Sequence, residues 1–207
     1  MNINKNLTAS QTFNLALKNH RENKTDIAQE LYNQVLKIDP NHSQALNSIA
    51  VIFINLKEYQ RAKDCFEKAI KINPTYADAH YNLGNMCRDL GELQRAKYCF
   101  EKTIEIDPNY VKAHNNLGVI FQELGELQIA KDCFEKSIEL KPNYQVALTN
   151  RGKILFLKGE FELSLIDFDN CNTFASRSFA LTSLYALGRI DEIYKRIEEN
   201  SQLDEKN

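Results

Sequence analysis

The sequence contains no tryptophan and few of the residues that interrupt helices, with only seven glycines and four prolines among 207 residues. Glycine and proline are the least favourable residues inside a helix, so their scarcity predicts long helices joined by short turns. The chain is long enough to bury a hydrophobic core without metal ions or disulfide bonds. Its hydrophobic share of 43% is that of an ordinary globular protein.

No charge of one sign dominates the sequence. The 26 basic and 28 acidic residues give a formal net charge of −2, and this balance does not favour nucleic acid or an anionic membrane as a partner. The longest apolar run, residues 49–54, is too short for a bilayer, which takes about 20 residues to span. We therefore predict no nucleic-acid partner and no insertion into a membrane.

Cysteine usage and the N-terminal segment both bear on the cellular compartment. The five cysteines are an odd number and include no Cys-x-x-Cys spacing, whereas a disulfide framework uses paired cysteines. Reduced thiols are usual in the cytosol. The N-terminal segment lacks the basic region and the unbroken apolar core of a secretory signal. These features predict a cytoplasmic protein.

Proline placement is regular. The four prolines stand 34 residues apart, at Pro40, Pro74, Pro108 and Pro142. Residues 90–102 and 124–136 are also 34 apart and match at eleven of thirteen positions. A period of this length predicts a repeat protein, in which units that cannot bury their apolar faces alone stack on their neighbours.

Aligning the units on the proline, which we number position 32 of each repeat, places residues of one kind in the same column. Position 8 is small, with Ala16, Ala50, Gly84, Gly118 and Gly152. Position 20 is also small, with Ala28, Ala62, Ala96, Ala130 and Ser164. Position 24 is aromatic, with Tyr32, Phe66, Phe100, Phe134 and Phe168. Two stretches of helical periodicity flank a turn such as residues 89–92, so each unit is predicted to be a helical hairpin whose small residues allow close helix packing.

The period and these columns resemble the tetratricopeptide repeat family. The resemblance implies an all-α fold, a right-handed α-solenoid of stacked antiparallel helix hairpins, with five units at residues 9–42, 43–76, 77–110, 111–144 and 145–178. Residues 1–8 are predicted to be an N-terminal tail, 179–200 a degenerate sixth or capping hairpin, and 201–207 a polar tail. The usual tryptophan at position 4 is replaced by Thr12, Leu46, His80, His114 and Leu148. The fifth unit departs further, with Ser176 in place of proline and Arg151 at the apolar position 7.

Repeats of this family typically hold an extended peptide on a concave side lined by the first helices. Position 6, which the family turns inward, is Asn14, Ser48, Asn82, Asn116 and Asn150. Asparagine offers a donor and an acceptor, so such a ladder can bind the main chain of any peptide, and it resembles the repeat domain of O-linked N-acetylglucosamine transferases. The predicted peptide-binding residues are Asn14, Asn47, Tyr81, Asn82, Asn85, Arg88, Lys112, Asn115, Asn116, Asn150 and Lys153. The other interpretation is that the asparagines only bond neighbouring helix carbonyls or persist from repeat duplication.

A carboxylate clamp, by which some family members bind the acidic C-termini of heat-shock chaperones, is not expected. Two asparagines of that motif are matched by Asn85 and Asn116, but its basic positions hold Tyr81, Val146 and Asn150. Without basic side chains there, a terminal carboxylate would lose its charge-assisted hydrogen bonds.

Three sets of residues invite a chemical interpretation, and each is predicted to be structural. Cys65, Cys99 and Cys133 share position 23, but hairpins about 10 Å apart cannot share one zinc ion with sulfur ligands at about 2.3 Å. Cys87 and Cys171 fall at packing positions, as do His80 and His114. Asp167 and Asp169 are two apart on a helix, do not face each other, and are interpreted as solvated helix surface. No catalytic residue, metal site or cofactor is predicted.

The sequence therefore predicts a non-catalytic scaffold that binds a protein partner through an extended peptide segment. An alternative is that the chain is the substrate-recruiting portion of a larger modifying enzyme such as a glycosyltransferase. A third hypothesis is weak self-association through the exposed terminal hairpins.

Overall fold

The computed structural model describes residues 7–171 and 173–204. Within these residues the protein is all-α, as predicted, with twelve helices and no strand. The helices are α1 (Ala9–Arg21), α2 (Thr25–Ile38), α3 (Ser43–Asn55), α4 (Tyr59–Ile72), α5 (Ala77–Asp89), α6 (Leu93–Ile106), α7 (Val111–Glu123), α8 (Leu127–Leu140), α9 (Gln145–Leu157), α10 (Phe161–Asp169), α11 (Phe174–Ala186) and α12 (Ile190–Asp204). None of the helices in this part of the chain is both long enough and apolar enough to cross a membrane.

The chain divides into two compact units, with the division in sequence between Pro108 and Asn109. In the first unit α1 packs against α2, α3 against α4 and α5 against α6, and contacts of α2 with α3 and of α4 with α5 join successive hairpins. In the second unit the hairpins are α7 with α8, α9 with α10 and α11 with α12, and they are joined by contacts of α8 with α9 and of α10 with α11. Each unit is therefore a stack of three helical hairpins.

The two helices of a hairpin approach closely where position 8 meets position 24. A Cβ atom added at Gly84 would lie 2.7 Å from the Phe100 ring, and one added at Gly118 would lie 2.6 Å from the Phe134 ring. Both rings are fully buried. The missing side chain at position 8 thus makes room for the ring, and the predicted role of this small column is confirmed.

The turn inside each of the first five hairpins places position 15 in a left-handed conformation. Gly91, Gly125 and Gly159 have φ values between 75° and 79° there. Asn23 and Lys57 hold the same position in the first two hairpins, with φ values of 58° and 61°. This conformation costs a residue with a Cβ atom about 1–2 kcal/mol, so Lys57 is strained.

Proline ends a repeat by holding the residue before it in extended backbone. Asn73, which precedes Pro74, has φ −128° and ψ 90°. Proline disfavours the helical conformation in the preceding residue, and α4 accordingly ends at Ile72.

The last two hairpins depart from the period. Helix α10 has nine residues, where α8 has 14. Helix α11 begins at Phe174, before the predicted boundary after residue 178, and α12 extends into the predicted polar tail, to Asp204. The cause is a new helix start, because the Thr173 hydroxyl accepts from the Ser176 N–H and the Ser176 hydroxyl from the Thr173 N–H, both at 3.1 Å. Ser176 stands where the earlier repeats have proline, which has no N–H to give.

Candidate functional site

The predicted peptide-binding residues lie mainly at positions 5, 6 and 9 of the first helix of each hairpin. These positions are one, three or four residues apart and therefore share one side of a helix. We call this surface, in each unit taken by itself, the first-helix face. It is formed by α1, α3 and α5 in the first unit and by α7, α9 and α11 in the second.

In the first unit an asparagine at position 6 is bonded to the hairpin before it. Asn82 Nδ2 on α5 donates to Asn47 Oδ1 on α3 over 3.0 Å, and Asn47 Nδ2 donates to the Tyr76 hydroxyl over 3.4 Å. Asn47 is only 8% exposed, whereas Asn82 is half-buried. The Oδ1 and the second N–H of Asn82 bond no other residue in the part of the chain that the structure describes.

The second unit contains the same arrangement. Asn150 Nδ2 on α9 donates to Asn115 Oδ1 on α7 over 3.2 Å, and Asn115 Nδ2 donates to Asn116 Oδ1 over 3.1 Å. Asn115 is 3% exposed, while Asn150 is half-buried. In both units, then, the asparagine at position 5 of one hairpin orients the asparagine at position 6 of the next, through side-chain bonds rather than bonds to helix carbonyls.

Ser48, the exception in the asparagine column, has a different partner. Position 5 of the hairpin before it is Phe13, whose side chain has no hydrogen-bond acceptor. Burial raises the pKa of Tyr32, and an interaction of its hydroxyl with Ser48 partly opposes that rise in pKa. The same hydroxyl lies 3.3 Å from His20 Nδ1. Tyr32 is the one tyrosine of the aromatic column, so the two unusual residues at positions 24 and 6 belong together.

The predicted site residues fall into two groups by exposure. Those that present surface to a ligand are Asn14, Tyr81, Asn82, Asn85, Arg88, Lys112, Asn150 and Lys153, and those that are largely buried are Asn47, Asn115 and Asn116. Arg88 also donates through Nη2 to its neighbour Asp89 over 2.9 Å. The buried group is suited to orienting other side chains rather than to contacting a ligand.

Helix α11 carries the first-helix face of the second unit beyond the predicted residues. Phe179 stands nine residues before Gly188, as Asn82 stands nine residues before Gly91, and α11 contacts α9. Lys153 Nζ lies 5.2 Å from the centre of the Phe179 ring. Alignment on the Leu-Gly pair of the last turn could have placed Phe179 at position 6 from the sequence. The prediction was aligned on the proline instead, and because the fifth repeat lacks that proline, the start of the hairpin was predicted too late.

A shallow pocket of about 480 Å³ opens on the same face of α1. Its lining is Asn14, Leu17, Lys18, Arg21 and Glu22. Arg21 occupies position 13 of its repeat and was not among the predicted site residues. The repeat alignment could have identified Arg21 from the sequence.

The chain was compared with models of known protein families, and the match agrees with the helical hairpins. The model of the tetratricopeptide repeat matches residues 43–76, 77–110 and 111–144. The chain is a tetratricopeptide repeat protein. No curated protein matches it in sequence.

Several solved structures share the fold of this tetratricopeptide repeat protein at low sequence identity. PilF of Pseudomonas aeruginosa has a TM-score of 0.83 at 19% identity, over 94% of this chain and 91% of its own. PilW, a type IV pilus biogenesis factor, has a TM-score of 0.79 at 22% identity, over 94% and 92% of the two chains. YrrB, described as a protein of this family with an unusual peptide-binding site, has a TM-score of 0.65 at 23% identity, over 88% and 92%. These similarities show the fold alone.

The cysteines of the repeats pack between helices, as predicted. Cys65 and Cys133 are half-buried, and Cys87, Cys99 and Cys171 are buried. A hydrogen bond with Cys87, together with burial, raises the pKa of the Cys99 thiol. Among residues 7–171 and 173–204, no three His, Cys, Asp or Glu side chains are grouped as a metal site requires.

Both histidines at position 4 are buried packing residues, as predicted. His80 Nε2 lies 3.0 Å from the Pro74 carbonyl oxygen and donates to it. This bond ties α5 to the loop that precedes it.

The interpretation of Asp167 as solvated surface is wrong. Asp167 is 1% exposed and accepts bonds from Arg151 Nε at 2.8 Å and Arg151 Nη2 at 2.6 Å. The hydrogen bond with Asp167 raises the pKa of Arg151. Arg151 replaces the apolar residue of position 7 and Asp167 the cysteine of position 23, so two departures of the fifth repeat compensate each other. The sequence signal for this pair was a basic residue at position 7 and an acidic residue at position 23 of the same unit, where the other repeats have uncharged residues.

Proposed function

We propose that this protein is a scaffold that binds extended peptide segments of a protein partner on the first-helix face of each unit, where Asn82 in the first unit and Asn150 in the second bond the main chain of the segment. The observation that carries the proposal is the orientation of these two amides. Each donates one N–H to the preceding hairpin, and each retains an acceptor and a second N–H.

A peptide main chain offers the matching groups, one N–H donor and one C=O acceptor for most residues. In an extended segment these groups are free, whereas a helix bonds them internally. An asparagine amide can therefore bond an extended main chain without reading its sequence. Because Asn82 and Asn150 are already oriented, binding loses less side-chain freedom than it would with mobile amides.

Selectivity would come from the residues beside the two amides. Tyr81 and Asn85 flank Asn82 in the first unit, and Lys153 follows Asn150 in the second. The first-helix face recognises the segment and performs no reaction on it. Substrate recruitment for a larger modifying enzyme would use the same residues in the same way.

The test is a selection of displayed random peptides on the immobilised full chain. Wild type and a variant carrying Asn82→Ala and Asn150→Ala are compared, with folding of both verified by circular dichroism. We expect wild type to enrich a set of peptides whose affinity for the variant is about 10-fold lower, because each lost hydrogen bond is worth about 0.5–1.5 kcal/mol.

Two further variants separate binding from structure. Asn33→Ala removes an exposed asparagine of α2 outside the first-helix face, and we expect it to bind like wild type. Asn115→Ala removes the support of Asn150 but not Asn150 itself, and we expect a partial loss. Equal enrichment by wild type and the Asn82/Asn150 variant would overturn the proposal.

A further inference from the structure

Lys153 is a basic residue on the first-helix face of the second unit. The other two basic residues of α9 and its C-cap have carboxylate partners, Asp167 for Arg151 and Glu160 for Lys158. No carboxylate in the described part of the chain pairs with Lys153. Its ammonium lies instead over the Phe179 ring, at 5.2 Å from the ring centre.

The position of Lys153 relates it to Asn150. The two residues are three apart on α9, so their side chains are neighbours on the helix surface. Asn150 is oriented by its bond to Asn115, and Lys153 is held towards α11 by Phe179. A segment whose main chain bonds Asn150 therefore passes the Lys153 ammonium.

We propose, resting on the proposed function, that Lys153 and Phe179 form a subsite for one Asp or Glu side chain within the segment bound at Asn150. A bound segment covers the ammonium, and covering a charge without a partner is unfavourable. A carboxylate removes that cost and adds a charge-assisted hydrogen bond. Because the contact with the Phe179 ring already restricts the conformations of the Lys153 side chain, less conformational entropy is lost on binding.

The occupant is an acidic side chain inside a segment rather than the carboxyl terminus of a chain. Recognition of a chain end draws on several charged donors, whereas Val146 and Asn150 on the same helix carry no charge. Lys153 alone matches a single carboxylate.

The test uses the same display selection, with random peptides flanked by constant sequence at both ends, on wild type, Lys153→Gln and Lys153→Arg. We expect wild type and Lys153→Arg to enrich Asp or Glu at one aligned position and Lys153→Gln to lose that preference while still enriching peptides. A selected soluble peptide is then compared with its copy in which the acidic residue is replaced by Gln or Asn. Its affinity for wild type should fall about 10-fold, the effect of one hydrogen bond to a charged group, and its affinity for Lys153→Gln should not change.

The possible results separate this inference from the proposed function. Peptides that depend on Asn82 and Asn150 but show no acidic preference, or the same preference with Lys153→Gln, overturn the subsite alone. Failure to enrich any peptide overturns both proposals. A selected segment that binds only when its acidic residue is the last residue of the soluble peptide assigns the site to chain ends and overturns the internal segment. Dimerisation that rises with concentration and disappears in Lys153→Gln would identify a second copy of the chain as the occupant instead.

Discussion

Arg151 donates two hydrogen bonds to the buried carboxylate of Asp167. The pair lies inside one hairpin and joins its first helix, α9, to its second helix, α10. The pair replaces the leucine and the cysteine that the fourth repeat has in the same columns, Leu117 and Cys133. Its energetic role can be tested because the chain itself supplies the apolar alternative.

We expect Arg151→Leu to lower the free energy of unfolding by about 3–5 kcal/mol, because it leaves a buried carboxylate without a partner. The double variant Arg151→Leu with Asp167→Cys should recover wild-type stability or exceed it, since an apolar pair of similar size avoids the cost of removing two charges from water. Urea denaturation measures both. A double variant as unstable as the single one would contradict this account.

Replacing a position 8 glycine by alanine should destabilise its hairpin. The added Cβ of Gly118→Ala would meet the Phe134 ring at 2.6 Å, and overpacking typically costs about 1–3 kcal/mol. The better helix propensity of alanine offsets about 1 kcal/mol of this at most. Thermal unfolding of Gly118→Ala, alone and with Phe134→Leu, measures the effect, and the second change should restore part of the loss. A rise in stability with Gly118→Ala alone would mean that the ring does not pack as described.

The strained turn residue Lys57 offers a stabilising substitution. Lys57→Gly should raise the free energy of unfolding by about 1 kcal/mol, because glycine adopts the left-handed conformation without steric cost. Lys57→Ala is the control, as it removes the same side chain but retains the Cβ atom, and it should bring no gain. The reverse change Gly91→Ala should destabilise by about 1–2 kcal/mol, since nothing else lies within 4 Å of the added atom. Equal effects of Lys57→Gly and Lys57→Ala would refute a backbone origin.

Tyr32 should make stability depend on pH in the alkaline range. Burial raises the pKa of Tyr32 in the folded protein. As the pH rises through about 10, the ordinary tyrosine pKa, the unfolded chain therefore loses the hydroxyl proton of Tyr32 before the folded protein does. The contribution of Tyr32 to stability is therefore complete below about pH 10 and declines as the pH rises through the folded pKa.

The measurement is the urea midpoint of wild type and Tyr32→Phe at about pH 8 and at about pH 10.5, on either side of the ordinary tyrosine pKa. Tyr32→Phe should be less stable by about 0.5–1.5 kcal/mol at the lower pH, because it loses the hydrogen bond between the hydroxyl and His20. At the higher pH the difference should narrow. Parallel declines of the two proteins would show that Tyr32 does not titrate differently in the two states.

Much of the fold could be predicted from the sequence because the rules involved are local and repeated. Proline acts on the residue before it, as at Asn73 and Pro74, and the period repeats that effect at each unit. The contact of Gly118 with Phe134 could also be anticipated, since one small and one aromatic column recur in every hairpin. Helix α11 could not be placed correctly, because its start depends on the capping pair Thr173 and Ser176 rather than on the repeated proline.

The candidate site could be predicted only as a set of columns. The asparagines of position 6 were apparent from the alignment. The burial of Asn47 and Asn115 was not, because both were predicted to contact the peptide. Arg151 could be recognised in the sequence as a charged residue in the apolar column of position 7. Its partner Asp167 was wrongly interpreted as solvent-exposed.

The sequence by itself determined the period, the hairpins and their turns, because these depend on each residue's own backbone preference and on a pattern repeated along the chain. Tertiary structure alone decided which side chains meet. Asn150 and Asn115 are 35 residues apart and Arg151 and Asp167 are 16 apart. Their bonds exist only because the packing of helices, within a hairpin and between neighbouring hairpins, brings these side chains within hydrogen-bond distance.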